Sequence, residues 1–456
     1  MPPQLALLLA AVFMVWLLRR ERKSREALSG VLWLPITWAF IIGSRPLSEW
    51  LQGSEPGLET APINYLEGSP LDRTVYFLLI VAGLLVLFGR RERLAGIVWQ
   101  NKWLFLFYLY LFLSITWSDY SYVSFKRLIK DFGNVIMALV VLSEIHPYQA
   151  VRSVLLRSAY LLIPLSVVAI KYFPDVGRYY DRWAHTAYFS GVAGDKNLLG
   201  MALFVCGLFL FNEFLDSRKG PDAERLRAGI PLMVLIMMAF WLLMKAYSVT
   251  AIVCTILGAV ILYVLKRGGR QRLVISISIA AVLGLFTFSV LDFGALLGGL
   301  LGRDVTLTGR TEIWRILLDE KINPLLGTGF YSFWLGSRID KLSEQYHFTL
   351  NEAHNGYLET YLNSGIVGLA LLVLVLAFSL RARWRELGIG TPAAPFYVSF
   401  LIATVLYNIS EATFNRLSII WFTFMIVILA NHEHPAVQEE KTVRTAAIPA
   451  RSLLRT

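Results

Sequence analysis

A chain of 456 residues that is 56% hydrophobic and 16% charged, with a mean hydropathy of +0.57, is too apolar for an ordinary soluble globule. Its formal charge of +11 does not imply nucleic acid, because the basic residues fall in short clusters between apolar segments and not on one solvated surface. The apolar runs lack period-2 alternation, which selects membrane helices over a closed barrel, the only other way to satisfy backbone polar groups in lipid.

From the N-terminus, candidate spans run Leu5 to Leu18, Ala27 to Gly43, Arg73 to Phe88, Val98 to Trp117, Phe132 to Ile145, Val154 to Tyr172 and Asn197 to Leu215. They continue as Ile230 to Met244, Ser248 to Leu265, Leu273 to Leu291, Gly365 to Leu380, Ala394 to Ser410 and Leu417 to Asn431. The expected fold is all-α: a polytopic membrane helical bundle of about 12–13 spans with one long extracytoplasmic loop. The first apolar run lacks a basic segment ahead of it and is followed by Arg19 to Arg25, so it reads as a retained helix with its N-terminus outward.

Placing Arg19 to Arg25 inside and alternating strictly also puts Arg90 to Arg93, Arg218 to Arg227, Lys266 to Arg272 and Arg381 to Arg385 inside. Lys126, Arg127 and Lys130 fall outside and are the local exception. The same alternation makes residues 46–72, 173–196 and 292–364 outward loops. The organisation is then helices over 1–291, the extracytoplasmic loop 292–364, helices over 365–431 and a polar cytoplasmic tail over 432–456, in which His432 and His434 read as solvated. Cys206 and Cys254 sit in apolar segments, where a thiol is a small hydrophobe.

Two outward loops carry basic and aromatic residues together. The first has Lys171, Arg178, Arg182, His185 and Lys196 beside Tyr179, Tyr180, Trp183 and Tyr188; the second has Arg303, Arg310, Arg315 and Arg338 beside Trp314, Tyr331, Trp334 and Tyr357. Such residues also populate a plain headgroup interface. In Leu307-Thr-Gly-Arg310-Thr-Glu-Ile-Trp314, Gly309 and Glu312 mark a helix start, and Arg310 falls where free N–H groups favour an anion. A guanidinium there suits phosphate oxygens, and pairing with Glu312 or a headgroup is the plainer alternative. His354, in Glu352-Ala-His-Asn-Gly-Tyr357, precedes the span that begins near Gly365; imidazole titrates near neutrality and can serve as a base for a sugar hydroxyl. Phosphate-loop, zinc-protease and Asp-x-Asp patterns do not occur, so the expectation is no metal and no cofactor.

Gly-Arg310-Thr-Glu-Ile-Trp314 followed by His354-Asn-Gly-Tyr357-Leu-Glu359 in one outward loop resembles the O-antigen ligase and Wzy-type polymerase superfamily. Gly191-Val-Ala-Gly-Asp-Lys196-Asn-Leu-Leu-Gly200, with Arg178 and Trp183 before it, is similar to the ExoQ-like exopolysaccharide polymerase branch. The resemblance covers about Trp117 to Trp421. It implies a GT-C-like, metal-independent glycosyltransferase of the bacterial inner membrane, with its site facing the periplasm. The implied donor is an oligosaccharide on undecaprenyl pyrophosphate and the acceptor a sugar hydroxyl, within a polysaccharide export assembly. By the same resemblance Arg310 binds the pyrophosphate and His354 is the catalytic histidine, with Lys196, Arg178 and Arg182 assisting and Trp314 and Tyr357 shaping the site. Polymerisation is the leading activity, ligation to lipid A core or protein an alternative, and a lipid-linked sugar transporter the alternative from another class. A transporter would carry ionisable residues at bilayer depth in matching halves, and the polar chemistry here lies in the outer loops.

Overall fold

The computed structural model describes residues 1–23, 28–52, 69–180, 187–218, 222–268, 307–346 and 352–430. The candidate span Leu273 to Leu291, the loop residues Arg182, Trp183, His185 and Arg303, and the tail lie outside the described residues. The chain is an all-α membrane bundle. Seven described helices are long and apolar enough to cross a bilayer: Pro3–Glu21, Pro70–Gly89, Pro147–Tyr172, Lys196–Ser217, Gly229–Ala246, Val249–Arg267 and Gly356–Ile389. Shorter apolar helices cover Gly30–Gly43, Lys102–Trp117, Ala394–Ser410 and Ile419–Leu429. The more polar Ser121–Leu142 helix is buried from Val135 to Leu142. Regular β structure among the described residues is one small hairpin, Arg178–Tyr180 antiparallel to Ala187–Phe189, inside the first outward loop.

Ile419–Leu429 is apolar on every face and every one of its residues is buried, so it forms the centre of the bundle. It packs against Ser121–Leu142, Lys196–Ser217 and Ala394–Ser410. Pro3–Glu21 and Pro70–Gly89 instead leave large apolar side chains exposed, such as Leu8, Val12, Leu85 and Phe88, as lipid-facing helices do.

Polar side chains pair between neighbouring elements towards both ends of the bundle. At one end Arg157 pairs with Glu21 (2.8 Å), Arg90 with Glu144 (2.8 Å) and Lys266 with Asp216 (2.6 Å). At the other, Arg45 donates to the Ala193 carbonyl (3.0 Å) and the Trp117 indole to the Leu326 carbonyl (3.2 Å), and Thr250 shares a hydrogen bond with Ser410 (2.9 Å). The basic exception also finds a place there. Lys126 lies over the Tyr122 ring, Arg127 over Tyr331 and Lys130 over Tyr76.

The helix that leads out to His354 is broken at Gly365, whose φ of 64° and ψ of −169° leave the helical region. A side chain there would meet the Leu325 carbonyl oxygen at 2.1 Å, so glycine is required. The segment around Asn323 to Thr328 mends the break. Ile366 and Val367 donate to the Pro324 and Leu325 carbonyls at 2.9 and 3.2 Å, and Thr328 donates to the freed Leu362 carbonyl at 3.1 Å. The outward part, Gly356 to Ser364, is thereby set at a new angle and held against the loop before it.

Candidate active site

Asn355 starts the Gly356–Ile389 helix: its side-chain oxygen accepts from the Tyr357 and Leu358 amides, both at 3.0 Å. His354 therefore precedes the cap, in a left-handed conformation with φ of 48° that a non-glycine residue rarely adopts. Its neighbours hold it there. The Trp314 indole donates to the Ala353 carbonyl (2.8 Å), and the Ala353 amide donates to the carboxylate of the buried Glu359 (3.1 Å). Gly356 donates to the Glu411 carbonyl (3.0 Å), and a Cβ on Gly356 would meet Asn408 Oδ1 at 2.2 Å. The connection over 411–418 is thus docked directly beneath the histidine, itself organised by Asn408, which accepts from the Thr413 and Phe414 amides.

This docking assembles a chain of alternating charge. Arg310 reaches Glu411 Oε1 at 3.0 Å and donates to the Ser410 carbonyl. Glu411 Oε2 lies 3.5 Å from His354 Nδ1, and Glu352 Oε1 lies 2.8 Å from the same nitrogen. Arg416 bonds Glu352 Oε2 and, at 3.3 Å, Glu359. The short His354 to Glu352 approach is the closest charge contact of the histidine. His354 Nδ1 is buried in this contact.

The electrostatics follow from the packing. Burial disfavours the charged imidazole, yet the carboxylates of Glu352 and Glu411 outweigh it and lift His354 to about 9. Burial likewise works against ionised Glu352, and His354 with Arg416 overcomes it, holding the carboxyl at about 2. Arg416 is pushed further up, its burial outweighed by Tyr331, Glu359 and Glu352. At neutral pH the resting histidine is an imidazolium, which sets a condition on its service as a base: Nε2 must first be free of its proton. One ligand atom from each of Glu352, His354 and Glu411 lies within 4.8 Å of the others, a spacing that a metal ion could use. Both carboxylates already face guanidinium groups, so a dication would enter against the charge of Arg310 and Arg416.

The first outward loop reaches the same region through Asp195. One of its oxygens caps the Lys196–Ser217 helix, accepting from Asn197 (2.7 Å) and Leu198 (2.9 Å). Burial raises this carboxyl, the backbone bonds oppose the rise, and the charges of Glu352 and Glu411 add to it, which puts the two loops within electrostatic reach. Lys196 and Arg178 make their contacts within the hairpin region. The Lys196 ammonium lies 4.4 Å from the centre of the Tyr188 ring, and Arg178 donates to the Ile170 carbonyl (2.9 Å) and covers Phe189. Tyr357 donates to the Val405 carbonyl (2.8 Å) and, like Trp314, fixes the loop. Of the residues singled out in the sequence, the structure therefore brings Arg310, His354 and Trp314 together with Tyr357 behind them. It leaves Lys196 and Arg178 at the neighbouring hairpin, and Arg182 is outside the described residues.

The family model described as O-antigen ligase matches residues 232–373, a segment that contains Arg310, Trp314, His354 and Tyr357. The chain is also 28% identical, over 302 residues, to the exopolysaccharide production protein ExoQ of Rhizobium meliloti (strain 1021). That match covers 62% of this chain and 66% of the relative, slightly under two thirds of its length. The chain is thus similar in sequence both to the O-antigen ligase family and to ExoQ. Two members of the charge chain, Glu411 and Arg416, lie beyond the matched O-antigen ligase segment, in the connection between the last two described helices. Sequence reasoning passed over both. The signal was there: an acid and a base within six residues, flanked by apolar helices, are costly so near lipid unless each has a partner.

Proposed function

We propose that this protein is a membrane glycosyltransferase that polymerises glycan repeat units, taking the growing chain from undecaprenyl pyrophosphate. The observation that carries the reading is the placement of Arg310 and His354 on opposite oxygens of one buried carboxylate, Glu411. An anion-binding fork and a proton acceptor are thereby fixed side by side. The acceptor sugar hydroxyl attacks the anomeric carbon of the donor. As the new glycosidic bond forms, the hydroxyl proton passes to His354 Nε2, and the anomeric carbon's bond to the pyrophosphate oxygen breaks. Undecaprenyl pyrophosphate leaves with the bonding pair. Glu352 and Glu411 stabilise the imidazolium that results, and Arg310 offsets the charge that develops on the leaving oxygen. Fixed cations take the place of a divalent metal in this scheme.

The basic clusters gathered at the far end of the bundle support a cytoplasmic assignment for that end, which turns the His354 end to the periplasm of a bacterial inner membrane. Purified protein in lipid nanodiscs, supplied with undecaprenyl-pyrophosphate-linked repeat units, is expected to extend glycan chains. His354→Ala and Arg310→Gln are expected to abolish extension while the proteins remain folded. Normal extension by both variants would falsify the site. Transfer to lipid A core or protein, without extension, would make the enzyme a ligase.

A further inference from the structure

The same carboxylate carries a consequence for the order of events at the site. In the resting structure Arg310 is engaged twice, by Glu411 Oε1 at 3.0 Å and by the Ser410 carbonyl. It is not waiting for an anion. Glu411 is buried to 3% exposure and divides its charge between Arg310 and His354, and its hold on the histidine at 3.5 Å is looser than that of Glu352 at 2.8 Å.

We propose that Glu411 is a positioning residue through which donor binding strengthens the charge that stabilises His354 once it has taken the acceptor proton. This rests on the function assigned above. A diphosphate that takes the Arg310 guanidinium must compete with Glu411 for it, and the freed carboxylate can then turn its full charge to His354 Nδ1. The donor binds less tightly than a bare arginine fork would allow, and part of its binding energy is spent on the histidine. No bond is made or broken in this step.

Three features favour a coupling element over mere scaffolding. Among the described residues, Glu411 is the one side chain in contact with both Arg310 and His354. Its backbone is anchored independently, its carbonyl accepting from Gly356 (3.0 Å) and its amide donating to the Tyr407 carbonyl (3.1 Å), so the side chain is not needed to hold the loop. Arg416, the other guanidinium of the site, is tied to Glu352 and Glu359.

Glu411→Gln keeps the shape and removes the charge. The expected result is a split: the variant binds farnesyl diphosphate, used as a short donor probe, about tenfold more tightly, because a competing charged hydrogen bond is weakened. Its turnover in chain extension falls above pH 9, where His354 enters the reaction neutral in both proteins. Glu352→Gln, which touches His354 and not Arg310, is expected to lose turnover in the same range with the probe affinity unchanged. Loss of both probe binding and turnover in Glu411→Gln, in a protein that still melts cooperatively, would overturn the proposal, since a scaffolding role predicts that outcome. If Glu411→Gln does not fold, Glu411→Asp keeps the charge with too short a reach to serve both partners, and the same tightening is expected; unchanged affinity and turnover there also overturn it. Failure of the wild type to bind the probe, or binding that Arg310→Gln leaves intact, would instead refute the functional assignment beneath it.

Discussion

Replacing Glu352 with Gln isolates what keeps His354 charged. The imidazole is lifted from 6.5 to about 9, which at 1.36 kcal/mol per pH unit is about 3 kcal/mol of preference for the protonated form. Two carboxylates share this, and Glu352 at 2.8 Å is nearer than Glu411 at 3.5 Å. At least half therefore belongs to Glu352, and the variant is expected to titrate roughly one to two units lower. Arg416 keeps Glu359 as a partner at 3.3 Å, so the substitution does not strand its charge. The assay is kcat/KM for chain extension from pH 6 to 10 in nanodiscs. If neutral Nε2 is the base, the wild-type value climbs until about pH 9, where the imidazolium gives up its proton. In Glu352→Gln the climb ends one to two units earlier and at a lower ceiling, because the imidazolium formed in the transition state has lost its nearer carboxylate. A wild-type rate that falls between pH 7 and 9 would refute the reasoning, since the required species would then be the cation. So would identical limbs in the two proteins.

Arg310→Lys keeps the charge and loses the planar fork, so kcat/KM is expected to drop by roughly ten- to a hundredfold, with the loss read from the donor dependence of chain extension. Stability should track the same pair. The raised His354 contributes fully below 6.5 and loses its contribution as pH rises through about 9, while the depressed Glu352 contributes above 4.5 and loses it as pH falls through about 2. Melting temperatures in detergent are thus expected to decline on the alkaline side between pH 6.5 and 9 in the wild type and to be flatter there in His354→Ala. Gly356→Ala would press a methyl group onto Asn408 Oδ1 and disturb the 411–418 connection, at an expected cost of about 2 kcal/mol or more, visible as a lowered melting temperature with loss of activity.

The bundle was legible in the sequence because the bilayer reduces the choice of structure to almost one. Gly365 was read as the edge of a span, while it is in fact a break within a helix. Nothing local marks such a break, since its repair depends on Pro324 and Leu325, about forty positions away. The 178–189 hairpin was missed for a related reason: three-residue strands carry no periodicity of their own. At the site, Arg310 and His354 stood out by their surroundings, and the alternative that Arg310 pairs with an acid was right in kind. The structure pairs it with Glu411, about a hundred residues on. Trp314 and Tyr357 were expected to shape the site, and the structure gives both a fixing role through backbone carbonyls.

Six charged side chains alternate in sign across this site, in the order Arg310, Glu411, His354, Glu352, Arg416 and Glu359. With His354 protonated the chain sums to neutrality, which is how so many half-buried charges are tolerated beside a membrane. It also means that a diphosphate does not fall into a ready positive hole. It must displace a carboxylate that already satisfies Arg310, so adventitious anions are selected against and a ligand that gains further contacts through its lipid and sugar is favoured. Removing one member takes one partner from each of its neighbours, a loss of stability that has nothing to do with chemistry. Alanine substitutions along the chain should therefore look alike, and only isosteric changes such as Glu to Gln separate the residues that hold the site from those that use it.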